Sequence, residues 1–157
     1  MTNPPQSARV AEAVERLRAV GERLTPARYA VLQVVDAADG TDEHLTADDI
    51  GARVGELEPA VHRATVYRTL TSLVDSGVLS HVHLGGAATV YHLTARPAAE
   101  KPEHADHAHV QCHVCGKVMD VAPEVFDDVA ARLRDDLGFV LDTGHAALLG
   151  TCRDCAP

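Results

Sequence analysis

Apolar residues recur every three or four positions through most of the first 76 residues, which is the spacing that lines one face of an α-helix. The pattern predicts helices over residues 8–20, 26–38 and 64–76, and a further helix that begins at Thr46. We expect Val20 and Leu57 to complete the buried faces of the first and third helices. Three closely spaced helices that lead into the helix at 64–76 are typical of a helix-turn-helix.

The chain then alternates between polar and apolar residues, as half-buried β-strands do. Residues 78–84 and 89–93 are predicted to form a hairpin that turns at Gly85-Gly86, so that the first part of the chain makes a winged helix. Residues 95–106 hold two prolines and several charges without an apolar period, which indicates a linker. We therefore predict one domain over 1–94 and a second over 107–157.

The second domain is predicted to be a small α/β unit. Short strands are expected at 108–111 and 118–121, one or two more strands within 139–149, and a helix from Pro123 that ends at Gly138. Its apolar positions follow helical spacing at Val125, Val129, Leu133 and Leu137. The predicted fold class is thus α+β, and a domain this small is expected to need a metal and dimerisation for support.

Composition excludes several classes of protein. The 157 residues carry a formal net charge of −9, which argues against indiscriminate binding to polyanions and requires any nucleic-acid surface to be local. The chain has no Trp and only two Phe, so binding to RNA or single strands by base stacking is not expected. No apolar run approaches the ~18 residues of a membrane span, and no signal peptide is evident. We expect a cytoplasmic protein without a membrane partner.

The four cysteines form two Cys-x-x-Cys pairs, Cys112 with Cys115 and Cys152 with Cys155. Two such pairs can supply four thiolates to one tetrahedral zinc ion. The alternative interpretation is two disulfides or unused thiols, which a reducing compartment disfavours. Ten histidines, several of them close to the first cysteine pair, strengthen the case for bound metal.

Several segments together resemble the ferric uptake regulator family, over residues from about 17 to 155. The segments that carry the likeness are RLTPAR at 23–28, EHLTADDI at 43–50, ATVYRTL at 64–70, GVLSH at 77–81, HAHVQCHVCGKV at 107–118 and GTCRDC at 150–155. The resemblance implies a homodimeric, metal-dependent transcriptional repressor, with a winged helix that binds palindromic double-stranded operator DNA and a C-terminal dimerisation domain.

The resemblance also implies DNA contacts. The helix that contains Thr65, Tyr67 and Arg68 would enter the major groove, where a tyrosine can meet thymine methyls and an arginine can reach phosphate or guanine. Arg23 and Arg28 are further predicted contacts. The alternatives are that Tyr67 is a core ring and that the arginines are solvated charges.

A regulatory metal site with ligands from both domains is implied as well. Its predicted ligands are His44, His107, His109, Asp120, His92 and His104. The position of His92 is acidic in iron and manganese sensors of the family, so an imidazole there shifts the preference towards nickel or zinc.

The likeness is closest to the nickel-responsive branch of the family, because the wing reads S-H-V-H-L and its second strand ends in Y-H-L. A nickel site of His81, His83 and His145 is predicted from this match. Ni(2+) is thus the expected effector, with Fe(2+), Zn(2+) or Mn(2+) in an iron, zinc or peroxide sensor as alternatives. The unrelated alternative is a metal storage or chaperone protein, whereas the H-x-E and P-C-x-x-C motifs of zinc deaminases are absent, so an enzyme is not expected.

Overall fold

The computed structural model describes residues 7–41, 43–85, 89–94, 108–143 and 147–156. Its contacts divide the chain into two compact units, one drawn from residues 1–81 and 89–101 and the other from 82–88 and 102–157. The predicted linker at 95–106 lies outside the described residues, so the predicted domain boundary stays a prediction. Among the described helices, none combines the length and apolarity that crossing a membrane requires.

Four helices build the first unit. They are α1 Ala8–Ala19, α2 Pro26–Asp39, α3 Ala47–Leu57 and α4 Arg63–Asp75. The sequence positions their ends by local chemistry, because the Thr25 hydroxyl accepts from the backbone N–H of Arg28 at 3.2 Å, and Gly77 takes a left-handed φ of 70° beyond α4. The helices predicted over 8–20, 26–38 and 64–76 are confirmed, and each of their ends lies within one residue of the prediction. The helix predicted to begin at Thr46 is confirmed as well, with its first helical residue at Ala47.

The core of this unit lies where the four helices meet. Its largest fully buried side chains include Leu17, Leu32, Ile50, Leu70 and Leu73. The expectation that Val20 and Leu57 are buried is wrong, since they are 60% and 55% exposed. Val20 is the C-cap of α1 and Leu57 is the last residue of α3, so both lie where the chain has already left the core.

A two-stranded sheet of β1, Leu79–His83, and β2, Thr89–Leu93, follows the helices. An isolated antiparallel bridge joins Thr46 to Val90, and the Tyr91 N–H donates to the Leu45 carbonyl at 3.2 Å. The start of α3 is thereby tied to the wing. The predicted winged helix is confirmed, although most of the hairpin turn lies outside the described residues.

The second unit is a three-stranded sheet with one helix. Its elements are β3 Ala108–Cys112, β4 Val118–Val121, a 3-10 turn Pro123–Phe126, α5 Asp127–Leu137 and β5 Ala147–Gly150. The strand order is β4-β3-β5, with β3 antiparallel to β4 and parallel to β5. Of the one or two strands expected within 139–149 the described residues contain one, β5; residues 139–143 form none.

The apolar stripe of α5 is exposed within the single chain. No residue of the helix is buried, and Leu137 at its end is 73% exposed. Gly138 ends the helix in the left-handed conformation, at a φ of 65°, as predicted.

Candidate metal centres and nucleic-acid interface

The parallel pairing of β3 with β5 brings the two cysteine pairs together. Cys112 lies opposite Gly150 in the register, so the C-terminal ends of the two parallel strands lie side by side. Each strand leads into a tight turn that holds a Cys-x-x-Cys pair: the Gly116 N–H donates to the Cys112 carbonyl at 2.9 Å, and the Ala156 N–H donates to the Cys152 carbonyl at 2.9 Å. The four sulfurs therefore converge from two equivalent turns.

The convergence has the dimensions of a tetrahedral thiolate site. The sulfurs of Cys112, Cys115, Cys152 and Cys155 all lie within 4.8 Å of one another, and no disulfide joins them. The Cys115 and Cys152 sulfurs are 3.7 Å apart. A zinc ion with Zn–S bonds of about 2.3 Å requires S···S separations of about 3.8 Å. The donor set thus fits one zinc ion, whereas the disulfide alternative is not observed.

The electrostatics of the cluster also favour a cation. The backbone N–H of Cys152, 3.4 Å from the Cys112 sulfur, heads the hydrogen bonds that lower the pKa of Cys112 to about 6. Hydrogen bonds to the Cys152 and Cys115 sulfurs instead raise the pKa of Cys155 to about 12. Four thiolates this close would repel one another, so full deprotonation requires a positive charge among them.

Two predicted ligands meet in the first unit. The imidazoles of His44, just before α3, and His92, on β2, lie edge to face with centroids 5.4 Å apart. The Asp39 carboxylate at the end of α2 lies 3.0 Å from His92 Nδ1 and also accepts from the Leu93 N–H at 2.9 Å and from Arg9 at 2.8 Å. A carboxylate in this position orients an imidazole for metal binding through its other nitrogen.

Asp39 is a residue that the sequence analysis missed. Its side chain is only 8% exposed. Burial raises the pKa of Asp39, but hydrogen bonds from His92, the Leu93 N–H and Arg9 outweigh burial and hold this pKa below its usual value. The carboxylate is therefore ionised at neutral pH. No sequence signal indicates this role, because Asp39 precedes a glycine in what otherwise resembles a polar turn.

Two other predicted ligands meet in the second unit. His109 and Asp120 are directly opposite in the β3–β4 register, and His109 Nε2 lies 3.4 Å from a carboxylate oxygen of Asp120. His109 is buried and Asp120 is partly exposed. The sharing of one ion between this pair and the histidines of the first unit stays a prediction.

The predicted nickel ligands are described in part. His81 and His83 lie two residues apart on β1, which places both side chains on the same side of the strand. His81 is partly exposed, with its ring 6.5 Å from that of Tyr91, and His83 is exposed. His145, like the predicted regulatory ligands His104 and His107, lies outside the described residues.

The exposed face of α4 carries the predicted DNA contacts. Tyr67 is 40% exposed, and its hydroxyl donates to Asp48 of α3 at 2.6 Å, so it is a surface residue rather than a core ring. Arg68 is exposed as well, with a 3.4 Å hydrogen bond to the Thr65 hydroxyl. These side chains stand near the N-terminus of the helix, the end that favours negative charge.

The two arginines of the RLTPAR segment differ in their surroundings. Arg23 is exposed. Arg28 is only 15% exposed and is engaged within the unit, because its guanidinium pairs with Glu22 at 2.7 Å and donates to the Ser72 hydroxyl at 2.9 Å. These contacts give Arg28 a structural role between α2 and α4, and they do not favour the DNA contact predicted for it.

A winged helix, in one chain with a unit whose four cysteines could hold a metal ion, is typical of metal-responsive transcriptional regulators. The chain belongs to the ferric uptake regulator family, whose profile matches residues 19–147. It is accordingly a metal-responsive transcriptional regulator and not an enzyme.

Individual relatives support the same family. The ferric uptake regulation protein of Bacillus subtilis is 29% identical over 141 residues, which cover 90% of each chain. The peroxide operon regulator of the same organism is 29% identical over 145 residues, or 92% of each chain. A solved structure of a zinc uptake regulator complexed with zinc and DNA matches 96% of each chain at 27% identity, with a TM-score of 0.61. These names refer to iron, peroxide and zinc, and they do not support a nickel-responsive branch in particular.

Proposed function

We propose that this protein is a nickel-responsive repressor that binds double-stranded operator DNA as a homodimer. The observation that carries the choice of metal is the predominance of imidazole among the candidate regulatory ligands. His44 and His92 lie side by side on the first unit, and His81 and His83 share one side of β1. Imidazole ligands suit nickel, copper, zinc and iron, whereas manganese prefers carboxylate and water oxygens.

The His109–Asp120 pair is the observation that favours another metal. It offers one carboxylate next to one imidazole, a mixed set that iron, zinc or manganese can use. An iron, zinc or peroxide sensor is therefore the second candidate function, and the relatives named above are of these kinds. The wing histidines His81 and His83 disfavour manganese but do not separate nickel from zinc. What favours nickel over this alternative is the S-H-V-H-L wing, which resembles that of the nickel-responsive branch.

The four-cysteine centre would hold zinc in a structural role. All four of its ligand positions are filled by protein sulfur, so no coordination position is left for an effector or a substrate. Zinc there would fix the ends of β3 and β5 to each other, which supports a unit with a small core of its own.

The proposal of a homodimer is based on the exposed apolar side chains of the second unit. Val129 and Leu137 on α5 and Leu148 and Leu149 on β5 are all at least 45% exposed in the single chain. Large apolar side chains left exposed on a small unit are typical of an interface with another molecule. A second copy with two-fold symmetry would cover these side chains on both subunits and present two α4 helices to two operator half-sites.

The decisive experiment is a metal-by-metal titration of DNA binding. Chelator-treated protein with its zinc retained is incubated with nickel, zinc, manganese or, without oxygen, iron(II), and a duplex is selected from a random pool under each condition. Fluorescence anisotropy then measures the affinity for the selected operator. We expect tight, sequence-specific binding with nickel and at least roughly 10-fold weaker binding with each other metal and after chelation, within the usual range of allosteric coupling.

Variants of the wing histidines identify the responsible ligands. His81→Ala and His83→Ala should abolish the nickel response and leave the zinc content unchanged, and Ser80→Ala on the same strand serves as the matched control. A normal nickel response in both histidine variants would exclude nickel sensing at the wing. Equal binding with every metal would exclude it altogether, and metal uptake without any specific DNA binding would favour a storage protein.

A further inference from the structure

One acidic side chain of α3 holds two hydrogen-bond donors of α4. The same oxygen of Asp48 accepts from the Tyr67 hydroxyl at 2.6 Å and pairs with Arg63 Nη2 at 2.5 Å. The Arg63 guanidinium also lies over the Tyr67 ring, 5.6 Å from its centroid. Arg63 was not among the DNA contacts predicted from the sequence.

The triad of Asp48, Arg63 and Tyr67 is a surface feature. The side chains of Arg63 and Asp48 are 71% and 61% exposed, and ion pairs this exposed to solvent contribute little to stability. Arg63 and Tyr67 are one helical turn apart, so they stand on the same face of α4. Stability of the fold therefore does not account for the arrangement, whereas its location on the proposed recognition helix does.

The chemistry of the triad resembles a DNA contact with the DNA replaced by a carboxylate. A guanidinium that donates to a carboxylate oxygen can donate in the same geometry to a phosphate oxygen or to the O6 and N7 atoms of guanine. A phenolic hydroxyl can donate to a phosphate oxygen as well. Asp48 thus occupies the position of an anionic acceptor that DNA would otherwise supply.

We propose that Arg63 is a further DNA-contacting residue and that Asp48 competes with DNA for Arg63 and Tyr67. On non-operator DNA no matching base edge lies within reach of Arg63, so phosphates are the competing acceptors. They are no better as acceptors than Asp48, so both donors stay with the carboxylate. An operator that places a base edge within reach offers Arg63 a bidentate contact, and the donors move from Asp48 to the DNA. Asp48 thereby lowers non-specific binding and sharpens sequence discrimination.

The experiment, which rests on the proposed function, compares the selected operator with a random duplex of equal length at several salt concentrations. Arg63→Ala should weaken operator binding by roughly 10-fold or more and leave random-duplex binding unchanged. Asp48→Asn keeps an acceptor oxygen but removes the charge. It should tighten random-duplex binding several-fold and steepen its salt dependence by about one ion per subunit, because Arg63 becomes available to phosphate.

The double variant tests whether these effects belong to one mechanism. If Arg63 is the group that Asp48 withholds from phosphate, Asp48→Asn combined with Arg63→Ala should return random-duplex binding and its salt slope to near the wild-type values. Two variants on the surface of α3 are the matched controls. Glu56→Gln removes a negative charge, as Asp48→Asn does, and Arg53→Ala removes a positive charge, as Arg63→Ala does. Zinc content and melting temperature establish that each variant is folded.

Different results would refute the competition between Asp48 and DNA and the proposed function on which it rests. Unchanged operator affinity in Arg63→Ala, unchanged random-duplex binding in Asp48→Asn, or an equal effect of Glu56→Gln would each refute the competition. If the wild-type protein binds DNA and Tyr67→Ala abolishes that binding, the proposed recognition helix stands even when Arg63 proves silent. If no duplex is bound with any metal, the proposed function fails and the competition fails with it.

Discussion

Local hydrogen bonds set the chemistry of each thiol in the cysteine centre. Cys112 and Cys155 carry the same thiol, yet backbone N–H groups, that of Cys152 first among them, lower the pKa of Cys112 to about 6, while hydrogen bonds among the sulfurs raise the pKa of Cys155 to about 12. Without a cation the cluster therefore holds some thiols protonated at neutral pH. Zinc held by these four cysteines would stabilise the thiolate forms, so binding would release protons.

The zinc assignment is tested by a conservative change of one sulfur. Cys112→Ser should reduce the zinc content from one ion per subunit to none, because a hydroxyl is a poor zinc ligand, and it should unfold the second unit. Elemental analysis and amide hydrogen exchange of reduced protein measure the two effects. Val114→Ser, inside the same turn but at an exposed position, is the control. Zinc retained in full by Cys112→Ser would contradict the assignment.

The residues that sequence reasoning identified and missed differ in the range of their contacts. The four cysteines were predictable because each pair is local and the spacing itself carries the signal. Asp39 was not, because its partners Arg9, His92 and Leu93 lie 30 or more residues away and only the folded unit brings them together. Asp48 and Arg63 were missed for the same reason, as their pairing joins two helices.

At the scale of whole elements, α3 shows how one turn of sequence fixes a helix. The Asp49 carboxylate accepts from both the N–H and the hydroxyl of Thr46, at 3.0 and 2.6 Å, and the Thr46 hydroxyl accepts from the Asp49 N–H at 3.3 Å. This capping box satisfies donors that the helix leaves exposed. The hydrogen bonds from the Thr46 hydroxyl and then its N–H lower the pKa of Asp49.

The capping box predicts a pH-dependent stability. Because the pKa of Asp49 is lower in the folded state, its contribution is present above the unfolded-state pKa of about 3.9 and is lost as pH falls towards the folded-state value. Asp49→Ala should lower the free energy of unfolding by about 1 kcal/mol at neutral pH, and the difference from wild type should shrink below about pH 4. Urea titrations at pH 7 and pH 3.5 measure it. Glu56→Ala in the last turn should cause no such loss, and a difference that grows on acidification would contradict the prediction.

Helix ends could be read from the sequence because their determinants lie within one turn, as at Thr25, Thr46 and Gly138. The partner of β3 could not, since its parallel pairing with β5 joins residues almost 40 positions apart and no local pattern encodes it. The same limit applies to Val20 and Leu57. Each continues a helical period correctly, but periodicity does not state where a helix leaves the core.

At the scale of the whole molecule, the second unit leaves its apolar surface uncovered. Its helix α5 buries no residue, although the sequence gives it a regular apolar stripe. Among the described residues of the single chain, nothing buries this stripe. A dimer in which the stripe meets its symmetry mate would bury it. Two copies that each carry a net charge of −9 repel one another at long range, so apolar burial would have to outweigh that repulsion.

The dimer is tested by placing charge on the stripe. Val129→Asp with Leu137→Asp should yield a monomer, because each buried aliphatic side chain contributes about 1.5–3 kcal/mol and both occur twice in a symmetric interface. Sedimentation equilibrium at micromolar concentration gives the mass. Ala131→Asp adds the same charge on the opposite face of α5 and should remain dimeric. A double variant that sediments like wild type, or a monomeric Ala131→Asp, would place the interface elsewhere.

The position of β5 in the sheet also sets the order in which the protein can be made. The four helices of the first unit contact one another over short stretches of chain, so they can fold as soon as they emerge from the ribosome. The second sheet cannot form beyond its β3–β4 hairpin until residues 147–155 have been synthesised, since β5 and the second cysteine pair come last. A nascent chain would therefore present a folded winged helix before it can hold zinc. Zinc binding would then be a late step of maturation, possible only once the last residues of the second unit have been made.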